Sequence, residues 1–171
     1  MTGMQVRRMA SPVGEITLAS DGEALCCVHL AGQRHGEPPR EAPQADTPLL
    51  LAAQAWLERY FALERPDAAE LPLRPAGSAF QQTVWSLLRE IPYGQVVTYG
   101  ELADRVARRL GRPRMSAQAV GGAVSRNPLA IVIPCHRVVG ARGWIGGYDG
   151  GVERKLVLLQ LEAGAWPLHP T

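Results

Sequence analysis

The stretch Thr98–Val124, TYGELADRVARRLGRPRMSAQAVGGAV, reads as two short helices joined by a tight turn. Thr98 and Glu101 have capping-box spacing, in which the threonine accepts from the amide three residues on and the glutamate reaches back to the threonine amide. The helix so opened runs to about Leu110, exposes Arg105, Arg108 and Arg109, and ends at Gly111-Arg-Pro113. Ser116 caps a second helix through Val124, whose Ala119, Gly121, Gly122 and Ala123 are small enough for another surface to approach closely. Such a pair resembles a helix-turn-helix.

Working outward, Ser78 and Gln81 form a second capping box, and Phe80, Val84, Leu87 and Leu88 then recur at helical spacing until Ile91-Pro-Tyr-Gly94 stops the helix. A last helix is expected from about Gly151 to Glu162. Residues 1–76 read differently, as strands over Gln5–Met9, Glu15–Ser20 and Glu23–Leu30, with Asp21-Gly22 as a hairpin turn. Ala31–Asp46 reads as a loop, Thr47-Pro48 as the start of a helix to about Leu63, and Glu70–Arg74 as a short strand in the proline-rich run before residue 77. The expected architecture is a small antiparallel sheet with a helix over residues 1–76 and a mainly helical domain over 77–171.

Charge follows the same division. Residues before Ser78 hold 7 Lys/Arg against 10 Asp/Glu, whereas those from Ser78 onward hold 11 against 6. Arg105, Arg108, Arg109, Arg112, Arg114 and Arg126 crowd the helical pair, as a polyanion partner would require; a solvated helix face is the other reading of charge alone. No run approaches the roughly 20 apolar residues that span a bilayer, and Met1–Glu15 has no apolar leader core, so a soluble protein, cytoplasmic or nuclear, is expected. Three cysteines, two of them adjacent, make no disulfide framework and suit a reducing compartment.

Chemistry concentrates in Ile131–Gly140, IVIPCHRVVG. Pro134 closes an apolar run and withholds a ladder donor, so Cys135 falls where the chain leaves the core, beside His136 and Arg137. Such surroundings are expected to lower the thiol pKa; a buried, inert thiol is the alternative.

The neighbours extend the pattern. Asn127-Pro128, Pro134-Cys-His-Arg-Val138, Gly146-Gly-Tyr148 and Lys155…Leu158-Leu159…Glu162 resemble the O6-alkylguanine-DNA alkyltransferases, the methylated-DNA–protein-cysteine methyltransferases. Phe80…Val84-Trp85, Ile91-Pro-Tyr-Gly94, Tyr99-Gly…Leu102-Ala103 and Ala119-Val-Gly-Gly-Ala123 match in order, and Ser11-Pro-Val-Gly14 fits the N-terminal domain. The resemblance implies an α/β, ribonuclease H-like N-terminal domain and a helix-turn-helix C-terminal domain. It implies irreversible, single-use transfer of an alkyl group from O6-alkylguanine in double-stranded DNA to Cys135, with O4-alkylthymine left open as a second substrate. His136 would take the thiol proton through a water, Glu162 would orient the imidazole, Tyr99 would assist the leaving guanine and Asn127 would tie the helical pair to the acceptor segment. Gln118, Ala119, Gly121 and Gly122 would meet the DNA minor groove around a flipped base; Arg137, Val138, Gly147, Tyr148 and Asp149 would serve the base and its pocket. No cofactor or metal is implied, and a monomer is expected, with cooperative assembly on DNA open.

Three departures stand out. Gln118 occupies the place of the family's usual stack-entering arginine, Arg105–Arg114 is longer than the usual turn, and Asp149 stands where a small or hydroxyl residue is usual. Cys26, Cys27 and His29 lack a fourth ligand and a chelating spacing, so strand packing is preferred to zinc. A binding-only damage sensor would lack the cysteine at this position, and a cysteine hydrolase would turn over and leave the helical pair unexplained.

Overall fold

The computed structural model describes residues 3–146 and 148–163 and divides into two compact units. The first comprises Met1–Ala76 with Pro128–Val132, and the second comprises Gly77–Asn127 with Ile133–Thr171.

In the first unit, strands β1 (Gln5–Met9), β2 (Ile16–Ser20) and β3 (Leu25–Leu30) form an antiparallel sheet in chain order. Helix α1 (Pro48–Phe61) packs on it through Leu50, Ala53, Trp56, Leu57 and Tyr60, at the three- and four-residue spacing that makes one helical face. Thr47 caps α1 by accepting from the Leu50 amide, and Pro48 stands where no amide is missed. The loop after β3 is anchored along β1, because Val6 donates to Pro43 O (3.0 Å) and Ala45 donates to Val6 O (3.0 Å).

The strand expected over Glu70–Arg74 is instead a turn of 3-10 helix over Ala68–Glu70, capped by Asp67, followed by one bridge between Leu25 and Leu73. Pro72 has no amide to donate, so pairing stops at Leu25 N to Pro72 O (2.7 Å) and Arg74 N to Leu25 O (2.9 Å). A second difference concerns Pro128–Val132, which the sequence reading assigned to the helical domain. Val28 donates to Pro128 O (2.9 Å) and Ala130 to Val28 O (3.2 Å), so this segment extends the sheet of the first unit.

The second unit contains α2 (Ala79–Leu88), α3 (Tyr99–Leu110), α4 (Ala117–Ser125) and α5 (Val152–Ala163). Both capping boxes form, at Ser78/Gln81 and Thr98/Glu101, and Gly111 ends α3 in the left-handed conformation (φ 67°) that glycine adopts without a Cβ clash. The Trp85 indole donates to Ala123 O (2.9 Å) and so ties α2 to α4. A Cβ on Gly77 would lie 2.3 Å from the Trp85 ring, which leaves only glycine at that entry to α2. Strand β4 (Val97–Thr98) runs parallel to β5 (Val138–Val139), which brings the start of α3 beside the end of the cysteine segment. No described helix is long and apolar enough to cross a membrane.

Candidate active site

Two tight turns bring Cys135 to its position. Val132 donates to Ala130 O (2.8 Å) around Ile131, whose φ of 72° is rare for a β-branched residue and marks a strained γ-turn. Cys135 then donates to Ile133 O (2.8 Å) around Pro134 (φ −81°, ψ 66°), a relaxed inverse γ-turn for which the proline ring presets φ. The Asn127 side-chain amide donates to the same Ile133 carbonyl (2.7 Å), clamping the second turn to the C-terminal end of α4. Residues Cys135–Arg137 form one 3-10 turn, which places the cysteine and histidine side chains otherwise than the opposite faces a strand would give them.

Cys135 is buried at 7% exposure. Burial raises its thiol pKa, against opposing contributions from Asn127, the Lys155 charge and Tyr148, so the lowering expected from sequence is overturned in the resting protein. The cause is that desolvation penalises the thiolate more than the nearby donors and cation favour it. A thiol held neutral at rest needs a base to become a thiolate, and an imidazole is the next residue in the chain. His136 has no exposure, and its Nε2 lies 2.6 Å from Glu162 Oε2. An ionised carboxylate can only accept, so Nε2 carries the proton and the neutral ring's lone pair is on Nδ1, which has no hydrogen-bond partner among the described residues. Burial lowers the His136 pKa, against the pull of Glu162, and so favours the neutral, proton-accepting ring.

Glu162 comes from α5 and is 5% exposed. Burial opposes its ionisation, yet the His136 bond and the Arg137 guanidinium outweigh burial and hold its carboxyl well below the usual carboxylate range. Tyr99, first residue of α3, has its hydroxyl pushed up to about 12 by burial and by the Cys135 charge, so it is a donor at neutral pH. Tyr148 lies near enough to Cys135 for each to shift the other's ionisation, although its buried hydroxyl makes no well-aligned hydrogen bond. Burial and Cys135 raise its pKa well above the usual value, and the half-buried Asp149 next to it adds to that rise.

Lys155 was visible in the sequence only as part of a spaced pattern, and its role was not read. It is fully buried, donates to Gly146 O (3.4 Å), and sets its ammonium 5.8 Å from the Tyr99 ring and 6.0 Å from the Tyr148 ring. Burial lowers its pKa to about 8, with the Cys135 charge acting in the opposite direction. A cation over both aromatic faces is favourable, and it also favours the thiolate. A fully buried lysine is unusual without a partner, but nothing in the sequence announces that Lys155 is buried.

Arg137, expected at the base or its pocket, is turned inward instead. It donates to Glu162 through Nε (2.8 Å) and Nη2 (3.1 Å) and to Ile91 O through Nη1 (2.6 Å). Val138 is wholly buried on β5, in the packing of the second unit. Gly147 lies outside the described residues. On α4, Gln118, Ala119 and Gly122 are exposed and Gly121 is half-buried, while Val120, Ala123 and Val124 face inward. Gly122 faces open space and Gly121 lies against the Tyr99 ring, so this small-residue face adjoins Tyr99. Trp144 is half exposed over Gly140 and Gly146, both of which a Cβ would drive into its ring. In the first unit, Cys27 is buried with its thiol donating to Gly36 O (3.2 Å) and Cys26 turns toward Ala24 O (3.5 Å), so the two adjacent thiols point to different neighbours.

Fold and site together define a protein that holds one buried cysteine next to an imidazole–carboxylate pair, in a unit that also carries the small-residue face of a helix-turn-helix. Residues 79–164 match the model of the 6-O-methylguanine DNA methyltransferase DNA-binding domain, and residues 5–75 match that of the ribonuclease-like domain of the same proteins. The chain therefore belongs to the methylated-DNA–protein-cysteine methyltransferase family. It is 41% identical to the Haemophilus influenzae methyltransferase of that name over 95% of this chain and 88% of the relative. It is 45% identical to the Mycobacterium leprae protein, over 91% of this chain and 90% of that one. The crystal structure of the Mycobacterium tuberculosis O6-methylguanine methyltransferase superposes with a TM-score of 0.81 at 40% identity, covering 98% and 97% of the two chains. A structure of the M. tuberculosis protein in complex with DNA gives the same TM-score at 39% identity, covering 95% of each chain.

Proposed function

We infer that this protein repairs O6-methylguanine in double-stranded DNA by moving the methyl group irreversibly to Cys135. The observation that carries this reading is the buried Cys135–His136 pair with Glu162 fixed on the far nitrogen of the imidazole, in a chain of this family. Displacement at a methyl carbon calls for a soft nucleophile, which thiolate is and hydroxyl is not. His136 Nδ1 takes the thiol proton through a water, and Glu162 stabilises the resulting imidazolium. The sulfur then forms a bond to the methyl carbon as the carbon–O6 bond breaks, and the electron pair leaves on guanine, which Tyr99 supports by hydrogen bonding or protonation. The product thioether has no route back to thiol, so one protein molecule acts once, with no cofactor.

The guanine has to leave the stack to reach a buried thiol. The small face of α4 enters the minor groove and Gln118 occupies the gap; Asn127 keeps the acceptor turn registered to α4, and Tyr148 walls the pocket. The protein works as a monomer in the cytoplasm, where its thiols stay reduced.

The deciding experiment is intact mass spectrometry after incubation with duplex DNA carrying O6-methylguanine. One added methyl on Cys135, with product limited to one equivalent, is the expected result; repeated turnover or an unmodified protein would refute the assignment.

The arginines flanking α4 yield a prediction about binding. Arg105, Arg108, Arg112 and Arg114 are exposed, whereas Arg109 is held by Glu90 (2.9 Å). If Arg112 and Arg114 neutralise phosphates that uncharged Gln118 does not, replacing both by alanine reduces the slope of log affinity against log salt by about 0.9 per lost contact. Arg109→Ala then changes the slope less. Equal slopes for the double variant and the wild type would leave these side chains as a solvated face.

A further inference from the structure

Arg137 is 25 residues from Glu162 in sequence, yet the two form the most completely bonded charged pair described in the second unit. Its side chain is 11% exposed and Glu162's is 1% exposed. All three guanidinium nitrogens are engaged: Nε with Glu162 Oε1, Nη2 with Oε2, and Nη1 with the Ile91 carbonyl. Its Cζ also lies 5.7 Å from the centre of the Tyr93 ring. Each carboxylate oxygen of Glu162 thereby has at least two partners. Oε1 takes Arg137 Nε and the Gly94 amide (3.1 Å), and Oε2 takes Arg137 Nη2 and His136 Nε2. So dense a set of donors leaves the carboxylate one orientation.

That arrangement bears on what His136 can do. A buried carboxylate with no other partner would favour imidazolium strongly, and a ring already protonated at rest cannot accept the thiol proton. A permanent cation on the same carboxylate divides its charge and opposes a second cation next to it. We propose that Arg137 is a positioning residue for methyl transfer: by gripping both oxygens of Glu162 it fixes the carboxylate on His136 Nε2 and keeps the imidazole neutral at rest, with Nδ1 ready to accept. This rests on the reading of His136 as the base. Among the described residues, the charged groups that face the imidazole are Glu162 and Lys155 from α5 and Arg137 from its own turn, with the Cys135 thiol beside it; α2, which also packs on this turn, carries no ionisable residue. Of the charged groups, Glu162 favours imidazolium, while Arg137 and Lys155 disfavour it.

The test is the pH profile of single-turnover methyl transfer. Removing the guanidinium charge in Arg137→Gln lets Glu162 hold a proton on His136 to higher pH. The acid limb of the profile therefore moves up by roughly one unit, the rate on that limb falls about tenfold, and the loss shrinks as pH rises past the new limb. Arg137→Lys keeps a charge but cannot hold both oxygens, and moves the limb in the same direction by less. Should the glutamine variant fail to fold, the lysine variant decides alone. A limb that coincides with the wild type, whether the rate is uniformly reduced or unchanged, overturns the proposal, because a merely structural loss is independent of pH. His136→Ala measured alongside separates the two layers. If it transfers at the wild-type rate, the base assignment itself falls; if it is inactive while the Arg137 limb stays put, only the role of Arg137 falls.

Discussion

Cys135→Ser transfers no methyl group to protein, yet binds duplex DNA containing O6-methylguanine about as tightly as the wild type. Oxygen replaces sulfur in a site where Asn127, Tyr148 and Lys155 already act on the side chain, so the smaller hydroxyl is accommodated. What it loses is reactivity, since the hydroxyl remains protonated in a buried site and its oxygen is a harder nucleophile. The surface assigned to DNA, with Gln118, Ala119 and Gly122 exposed on α4, is untouched by the substitution. Mass spectrometry of the protein and a binding titration on the same oligonucleotide check both halves. A methylated serine variant would place the acceptor elsewhere, and a parallel loss of binding would show that the thiol contributes to recognition.

Glu162→Gln has the second large effect, and it falls on both rate and stability. Transfer slows by about 10²–10⁴-fold, because a neutral amide no longer stabilises imidazolium and can present its NH₂ to the imidazole in place of an acceptor. The same change leaves the Arg137 guanidinium buried without its counter-charge, a loss on the order of 3–5 kcal/mol. In the wild type the carboxyl is held below its ordinary value, so its stabilising contribution is complete above about pH 4.3 and is lost as pH falls toward the folded-state value. The stability gap between wild type and Glu162→Gln therefore narrows in acid, which urea titrations at pH 7 and pH 3 would detect. A gap that stays constant with pH would mean that the charge of Glu162 does not account for the loss. DNA affinity should change far less than the transfer rate; equal losses would make Glu162 a structural residue only.

The elements legible in the sequence are those controlled by neighbours within a few residues. The boxes at Ser78/Gln81 and Thr98/Glu101, Thr47-Pro48 at the start of α1, and Gly111 at the end of α3 stand where they were expected. A cap is satisfied by an amide two or three residues away, so its chemistry is written locally. Glu70–Arg74 failed as a strand because a partner is needed along its length, and Pro72 limits that partnership to one bridge at Leu73. The pairing of Pro128–Val132 was not legible for the complementary reason, since its hydrogen bonds go to Val28, a hundred residues earlier in the chain.

The site divides in the same way. From Cys135, His136, Asn127, Tyr99 and Glu162 in their order, the sequence by itself determined the family pattern and the kind of chemistry. Only the tertiary structure decided the charge state of that chemistry. Burial raises the thiol where local arginine and histidine suggested lowering, brings the unread Lys155 over two tyrosine rings, and turns Arg137 from the expected base contact onto Glu162. Desolvation and ion pairing depend on what lies within a few ångströms in space, and for Cys135 and Arg137 those neighbours come from α5, from Asn127 just past α4, from Tyr148 and from the turn after α2, segments that local sequence cannot bring together.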